Sequence, residues 1–502
     1  MKLIEQPQFS FNDAFIYQNL SDIKSRTSCN VEPQKRKLNN MLHTNSPFIS
    51  ANMNAVSGKR MAEAMAIHWG VACLPQDMSK ERKEAILKYL HSDERYGYGL
   101  VSVVVVNNKT DNVIVAKQLA KKKELNAVFV NVEWEGIIGY YTKEMLDAYP
   151  ESEKIDVSIM PPKNFLLAKE EFNKDNLSEY YQTMVDANQD FIVFIKEKEV
   201  NWEKRILGWA LTKKHAVRYK DYNPAYQSDK NLSVILSYGV NQIRNDVKYL
   251  DEIEYFQNTY NVNQLLVDTA HGTQENVIYA VKTLRLNFPD AIIIAGNVCT
   301  AEGTKALLKN WANGVKVGIW PGAMCETRMQ TGVGRPQLSA IIECAKAAKE
   351  LNGWIIADGG VKTPRDACLA LAAGASYVMM GSVLAGTLES VAEIKYDLDN
   401  KPYKQNFGMA SGLAVKERNQ NLSPFEQARR MRFQEGISTS MIYLKPWMET
   451  VGEVLDMFTT GLQSSMSYVW ARNLQEYTDK AIIGIQTSSG YTEGTPHWKK
   501  MN

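Results

Sequence analysis

The chain has 502 residues, 45% of them hydrophobic and 23% charged, with a formal net charge of +2. That length can bury at least one large core, and the composition is that of an ordinary globular protein. Nothing in the near-neutral balance suggests a polyanion-binding surface, so no nucleic-acid partner is expected, and no apolar run approaches a membrane span.

In chain order, the opening Met-Lys-Leu-Ile-Glu-Gln-Pro-Gln lacks the long apolar stretch of a signal peptide. Residues 47–51 and 71–74 read as short apolar strands. The stretch 95–225 differs in character and divides into two similar halves. The first predicts a helix over 111–123, strands over 127–132 and 137–141, and a helix over 142–148. The second predicts a helix over 178–186, strands over 191–196 and 205–211, and a helix over 212–218. Lys121-Lys122-Lys123 reads as a solvated helix face. This repeated α-β-β-α unit resembles a pair of cystathionine-β-synthase (CBS) modules, which implies a regulatory ATP or GTP. The match to their Gly-x-x-Thr-x-x-Asp ligand motif is poor. Gly139-Tyr-Tyr-Thr142 is followed by Met145 at the acidic place, and around Gly208 and Thr212 the spacing is off by one, with His215 there instead. An inert spacer or an oligomer contact is the other reading.

From about residue 230 apolar runs recur at 232–237, 264–269, 291–297, 315–319, 354–357 and 377–380, with helical periodicity between them. Over 335–351, Leu338, Ile341, Ile342, Ala345 and Ala348 fall on one face, with Pro336 in the first turn and Cys344 reading as packing. Over 363–373, Thr363 suits the N-cap, Pro364 the first helical position and Gly374 the end. This alternation makes parallel strands. With the two early runs the strand count reaches eight, which predicts an α/β fold: a (β/α)₈ TIM barrel of residues 1–94 and 226–502, interrupted by an α+β insert over 95–225. A doubly wound sheet is the alternative. Polar or reactive residues follow the strands at Asn52, Asp268, Asn297, Cys325, Asp358 and Ser382, where a barrel carries its active site.

The chemistry concentrates in the second half. Residues 314–328 read Gly-Val-Lys-Val-Gly-Ile-Trp-Pro-Gly-Ala-Met-Cys-Glu-Thr-Arg. An apolar strand ends in a Pro-Gly turn that delivers Cys325, with Thr327 two residues on, and such a turn suits an exposed nucleophile. Otherwise Cys325 is one of six ordinary cysteines; the six, at 29, 73, 299, 325, 344 and 368, show no Cys-x-x-Cys spacing, and six scattered histidines give no ligand pair. That argues against a zinc site or disulfide framework and fits a protein of the reducing cytoplasm. Gly359-Gly360 and Gly381-Ser382 are glycine-containing turns after the seventh and eighth strands, where backbone N–H groups commonly hold a phosphate. Asp358 suits ribose hydroxyls, or else caps a helix.

Residues 316–328, 357–360 and 379–382 together with Gly408-Met409 resemble the inosine-monophosphate dehydrogenase/GMP reductase family. The resemblance covers the barrel from Phe11 to the C-terminus, with the CBS modules inserted where this family carries them. Within it the chain is most similar to bacterial GMP reductases that retain CBS modules, on Leu74-Pro-Gln-Asp77, the run from Thr327 to Gln337, Arg432-Phe-Gln-Glu-Gly-Ile-Ser438, and 484–494.

The resemblance implies residue roles. Cys325 attacks purine C2 to give a covalent thioimidate, and Thr327 and Glu435 relay protons to and from the leaving nitrogen. Asp358, Gly359, Gly360, Gly381, Ser382, Gly408 and Met409 hold the nucleotide, with Arg432 to Gly436 near the base. Asp268, Thr269 and Ala270, with Asn297, Ser25 and Arg26, contact the nicotinamide dinucleotide, NADPH. No basic cluster is unambiguously placed for a 2′-phosphate, which leaves NADH open. Carbonyls of Gly318, Trp320 and Cys325 form most of a potassium site, completed near Glu493 of a neighbouring subunit. Tetramers or octamers are implied.

The residues agree with that scheme. A purine C2 bearing an amino group accepts a thiolate, ammonia leaves only when protonated, and hydride needs a pre-positioned nicotinamide. Glu435 otherwise reads as one more surface acid beside Arg429, Arg430 and Arg432. Three departures stand out: Trp320 replaces a glycine, Ala323 a serine that helps hold phosphate, and Ala410 the small or hydroxyl residue after Gly408-Met409. Three functions compete. The dehydrogenases activate water with an Arg-Tyr pair some ten residues before the Glu/Gln-Gly; here that place reads Ser423-Pro424-Phe425-Glu426, which favours a reductase. A non-catalytic CBS-bearing regulator is the third reading, opposed by the intact Cys325, Thr327 and Glu435.

Overall fold

The computed structural model describes residues 5–33, 41–91, 101–103, 105–120, 127–132, 135–168, 170–200, 203–221, 224–228, 231–319, 327–399, 401–406, 423, 425–426, 440–446 and 448–495. All eight apolar runs are strands: β1 (Phe48–Ser50), β2 (Val71–Leu74), β3 (Val234–Gly239), β4 (Gln264–Asp268), β5 (Ile292–Val298), β6 (Gly314–Val317), β7 (Trp354–Asp358) and β8 (Tyr377–Met380). They close into one parallel barrel, β8 pairing with β1 and β2 with β3, which rules out the doubly wound sheet. Strands buried on both faces read as unbroken apolar runs, and β1, β2, β6 and β8 are buried at every residue. The barrel interior is filled by Ile49, Cys73, Ile235, Leu266, Ile294, Ile356 and Met379. Trp354 packs edge-on to Tyr377 with ring centroids 5.1 Å apart, and the absence of a side chain at Gly314 makes room for its indole, which a Cβ there would meet at 2.2 Å.

The helices follow the predicted faces with two corrections. In Gln337–Glu350 the residues Leu338, Ile341, Cys344 and Ala348 are buried, but Ile342 is 44% exposed. It lies about 100° round the helix from Ile341, beyond the edge of the apolar stripe. Pro336 sits at the N-cap with extended backbone (φ −53°, ψ 131°), one residue ahead of the first turn. Pro364–Ala372 begins where expected: Asp366 accepts from both the backbone N and the hydroxyl of Thr363 at 3.0 Å. Against it lies Val451–Tyr468, whose Phe458 meets Phe48 edge-on at 5.8 Å. Among the described residues no helix is long and apolar enough to cross a membrane.

A second compact unit comprises Ala66–Trp69 and Leu87–Leu232. Its first half carries the helix Val113–Ala120, strands Ala127–Val132 and Gly136–Thr142, and the helix Lys143–Asp147. The second repeats that order with Leu177–Asp186, Phe191–Val200, Glu203–Thr212 and Lys213–Asp221. Phe129, Tyr140 and Phe191 form an aromatic core with Val193 and Ala210. Thr142 and Thr212 cap their helices, accepting from Met145 N and His215 N. Lys121-Lys122-Lys123 lies outside the described residues.

Candidate functional site

The C-terminal ends of the barrel strands converge on one buried cluster of charge. Lys316, in the middle of β6, is the centre of it, with a side chain only 5% exposed. Its Nζ lies 2.9 Å from Asp268 Oδ1 at the end of β4 and 2.7 Å from Asp358 Oδ2 at the end of β7. Burial works against its charge, but the two carboxylates outweigh it and raise the ammonium above its ordinary range. Asn52, just after β1, donates to Asp268 Oδ2 at 2.8 Å. Asn297, in β5, donates through Nδ2 to Asp358 Oδ2 at 2.9 Å and to the Gly318 carbonyl at 2.7 Å. Both those partners are acceptors, so the amide orientation is settled, and Asn297 Oδ1 is left as a buried acceptor with no donor among the described residues.

Backbone geometry holds this cluster rigid. Gly318 adopts φ +152°, and a Cβ there would lie 2.0 Å from the Asp358 carbonyl oxygen. The ends of β6 and β7 approach that closely because residue 318 has no side chain. Gln337 ties the same two strands, its Nε2 donating to the Val317 carbonyl at 3.0 Å and the Asp358 carbonyl at 3.2 Å. After β4, Thr269 N donates to Gly296 O at 2.9 Å and Asn297 N returns a bond to Thr269 O at 2.7 Å. Gly359 and Gly360 follow Asp358 with φ of 89° and 80°. Gly381 caps the short helix Ser382–Ala385, with its carbonyl accepting from Ala385 N at 2.9 Å.

Of the predicted site residues, Asp268, Asn297, Asp358 and Gly318 are thus joined by hydrogen bonds, through Lys316 in the case of Asp268, with Thr269 adjoining. Ala270 is exposed beside them. The Gly318 carbonyl, expected as a cation ligand, is already engaged by the Asn297 amide. Ser25 and Arg26 belong to an exposed 3₁₀ turn, anchored where Gln463 Nε2 donates to the Cys29 carbonyl at 3.1 Å. Glu493 ends the helix Ser488–Glu493 and is exposed. Thr327 opens the helix Thr327–Thr331. Trp320, Cys325, Gly408, Met409, Arg432, Glu435 and Gly436 lie outside the described residues. Burial raises the thiol of each of the five other cysteines, Cys344 and Cys368 to about 12. None of the five is an activated nucleophile.

Sequence reasoning missed Lys316 as a functional residue. The signal was there: a lone lysine inside Val-Lys-Val, in a strand expected to be buried on both faces, needs carboxylates to meet it. The contact of Asn52 with Asp268 was also missed, although Asn52 stood among the residues after the strands.

Comparison with known proteins places this site in context. The family described as IMP dehydrogenase / GMP reductase domain matches residues 8–497. A GMP reductase of Mycobacterium tuberculosis is 36% identical over 493 residues, 97% of this chain and 96% of that protein. An inosine-5′-monophosphate dehydrogenase of Aquifex aeolicus is 34% identical over 468 residues, 92% of this chain and 90% of that protein. Among solved structures, a cysteine-to-alanine variant of the GMP reductase from Trypanosoma brucei, in complex with guanosine 5′-monophosphate, superposes with a TM-score of 0.65 at 24% identity, covering 98% of each chain, a likeness of fold.

Proposed function

The chain belongs to the IMP dehydrogenase / GMP reductase family of oxidoreductases, and on that premise we propose that it is a GMP reductase, converting GMP to IMP and ammonia at the expense of NADPH. The observation that carries the reductase over the dehydrogenase is Ser423-Pro424-Phe425-Glu426, where a dehydrogenase would need Arg-Tyr to activate water.

In this reading Asp358 accepts from the nucleotide ribose, and the backbone N–H groups around Gly359, Gly360, Gly381 and Ser382, with Gly408 and Met409, receive the phosphate. The Cys325 thiolate adds to purine C2, and Thr327 and Glu435 protonate the amino group so that ammonia departs and a thioimidate remains. Arg432 and Gly436 border the base. NADPH, when bound, supplies hydride to C2, and loss of the thiolate then gives IMP. The acceptors present fit a nicotinamide: the buried Asn297 Oδ1, which no described donor meets, suits a carboxamide N–H, and Asp268 suits ribose hydroxyls, with Thr269, Ala270, Ser25 and Arg26 along the dinucleotide. For a monovalent cation, the carbonyls of Trp320 and Cys325 and the second lone pair of Gly318 O would be the ligands, with exposed Glu493 from a neighbouring copy of a tetramer or octamer. Potassium there would hold the nucleophile loop.

The test is an anaerobic absorbance assay of GMP with NADPH beside one of IMP with NAD. NADPH consumption with GMP alone is expected; robust NADH formation from IMP, with none of the former, would reassign the chain as a dehydrogenase. We assign 95–225 as a CBS-pair regulatory insert in a cytoplasmic enzyme, answering to ATP or GTP and supplying no catalytic residue. A chain joining about residue 94 to about residue 226 should keep turnover and lose any response to ATP or GTP. A well-folded deletion without activity would show that the insert does more.

A further inference from the structure

We infer that Lys316 is a positioning residue that serves both halves of the site at once, holding Asp358 for the nucleotide and Asp268 for the cofactor from a single ammonium group. The inference rests on the reading above for the identity of the two ligands; the geometry is independent of it. An ammonium has three N–H donors, and two of them reach these carboxylates at 2.7 and 2.9 Å. Each carboxylate also has an amide donor of its own, Asn297 for Asp358 and Asn52 for Asp268. Asn297 and Asn52 are therefore private to one side, and Lys316 is shared.

The sharing of one ammonium separates this arrangement from an ordinary structural ion pair. A buried pair kept for the fold is neutral, because uncompensated charge away from water is costly. Here one ammonium bridges two carboxylates from separate strands, beside the buried acceptor Asn297 Oδ1. Such a cluster is rich in acceptors on both sides. Vicinal ribose hydroxyls are donors, and the proposed nucleotide and cofactor each bring them. On Asp358 the Lys316 ammonium and the Asn297 amide both go to Oδ2, which leaves Oδ1 for incoming groups.

Removing the ammonium should act on both ligands, and removing one carboxylate as well should restore only the other side. In Lys316→Met the two carboxylates lose the ammonium they share, and their like charges repel. Equilibrium dissociation constants for GMP and for NADP⁺, measured separately, should each rise about tenfold or more, as expected for breaking a buried charged contact. Asn52→Ala should weaken NADP⁺ alone, with GMP within about twofold of wild type. The double variant Lys316→Met/Asp268→Asn relieves the repulsion on Asp358. It should bring GMP affinity back to within about threefold of wild type while NADP⁺ stays weak. A merely structural lysine would not give this one-sided recovery. If Lys316→Met fails to fold, the double variant and Asn52→Ala still decide. The inference falls if Lys316→Met leaves either ligand unaffected, or if the double variant recovers neither or both. If wild type binds IMP and NAD⁺ but not GMP and NADP⁺, the assigned reaction falls, and the same measurements with IMP and NAD⁺ decide the role of Lys316.

Discussion

Cys325→Ala should leave no measurable NADPH consumption with GMP, while Glu435→Gln should retain slow chemistry. The proposed reaction has no route around the thiolate: without it purine C2 forms no adduct, and neither ammonia release nor hydride addition can follow. The other five thiols cannot substitute, because burial holds each of them in its protonated form. Glu435 moves protons, which Thr327 and solvent can do less well, so its loss should cost about 10²–10⁴-fold in rate. The two variants separate by intact-protein mass spectrometry. Glu435→Gln should accumulate a nucleotide adduct that Cys325→Ala lacks. Near wild-type turnover by the cysteine variant would remove Cys325 from the mechanism.

Gly318→Ala should cripple the enzyme by distorting the barrel itself. The residue holds φ +152°, a conformation that alanine adopts only under strain, and the new Cβ would sit 2.0 Å from the Asp358 carbonyl. Strain and forced separation of β6 from β7 together cost about 3 kcal/mol or more. The displacement falls on Asp358, on the Asn297–Gly318 bond and on the lysine between them. We expect a fall in melting temperature of several degrees together with an increase in KM for GMP. An alanine variant with unchanged melting temperature and KM would show that β6 and β7 can separate freely.

The barrel was legible because strands sealed on both faces leave continuous apolar runs, and all eight were placed within about two residues. Its polar strand ends were legible for the same reason: Asp268, Asn297 and Asp358 stand out where apolar runs end. Lys316 was harder. A lysine in a strand ordinarily signals an edge or a solvent face, and what meets this one is a carboxylate 42 positions away that the pairing of β6 with β7 brings alongside. Ile342 misled in the opposite sense, because periodicity marks the centre of a buried face better than its margin. Ser25 and Arg26 had no local signal; only the family resemblance singled them out, and within a single subunit they occupy an exposed turn.

Closure of the barrel also has a kinetic consequence. Most neighbouring strands are joined by one short helical crossover, but the pairing of Ala72 with Val234 spans about 160 residues. Loop entropy grows only logarithmically, so that span costs about 1–2 kcal/mol more than an ordinary crossover. The delay comes instead from topology: the β2–β3 seam waits for the intervening chain, whereas strands β3 to β8 can assemble from near neighbours as they leave the ribosome. Until the seam closes, the edges of β2 and β3 stay unpaired and open to association with other chains. The deletion variant, with its seam shortened, should refold faster and aggregate less from denaturant than the full chain.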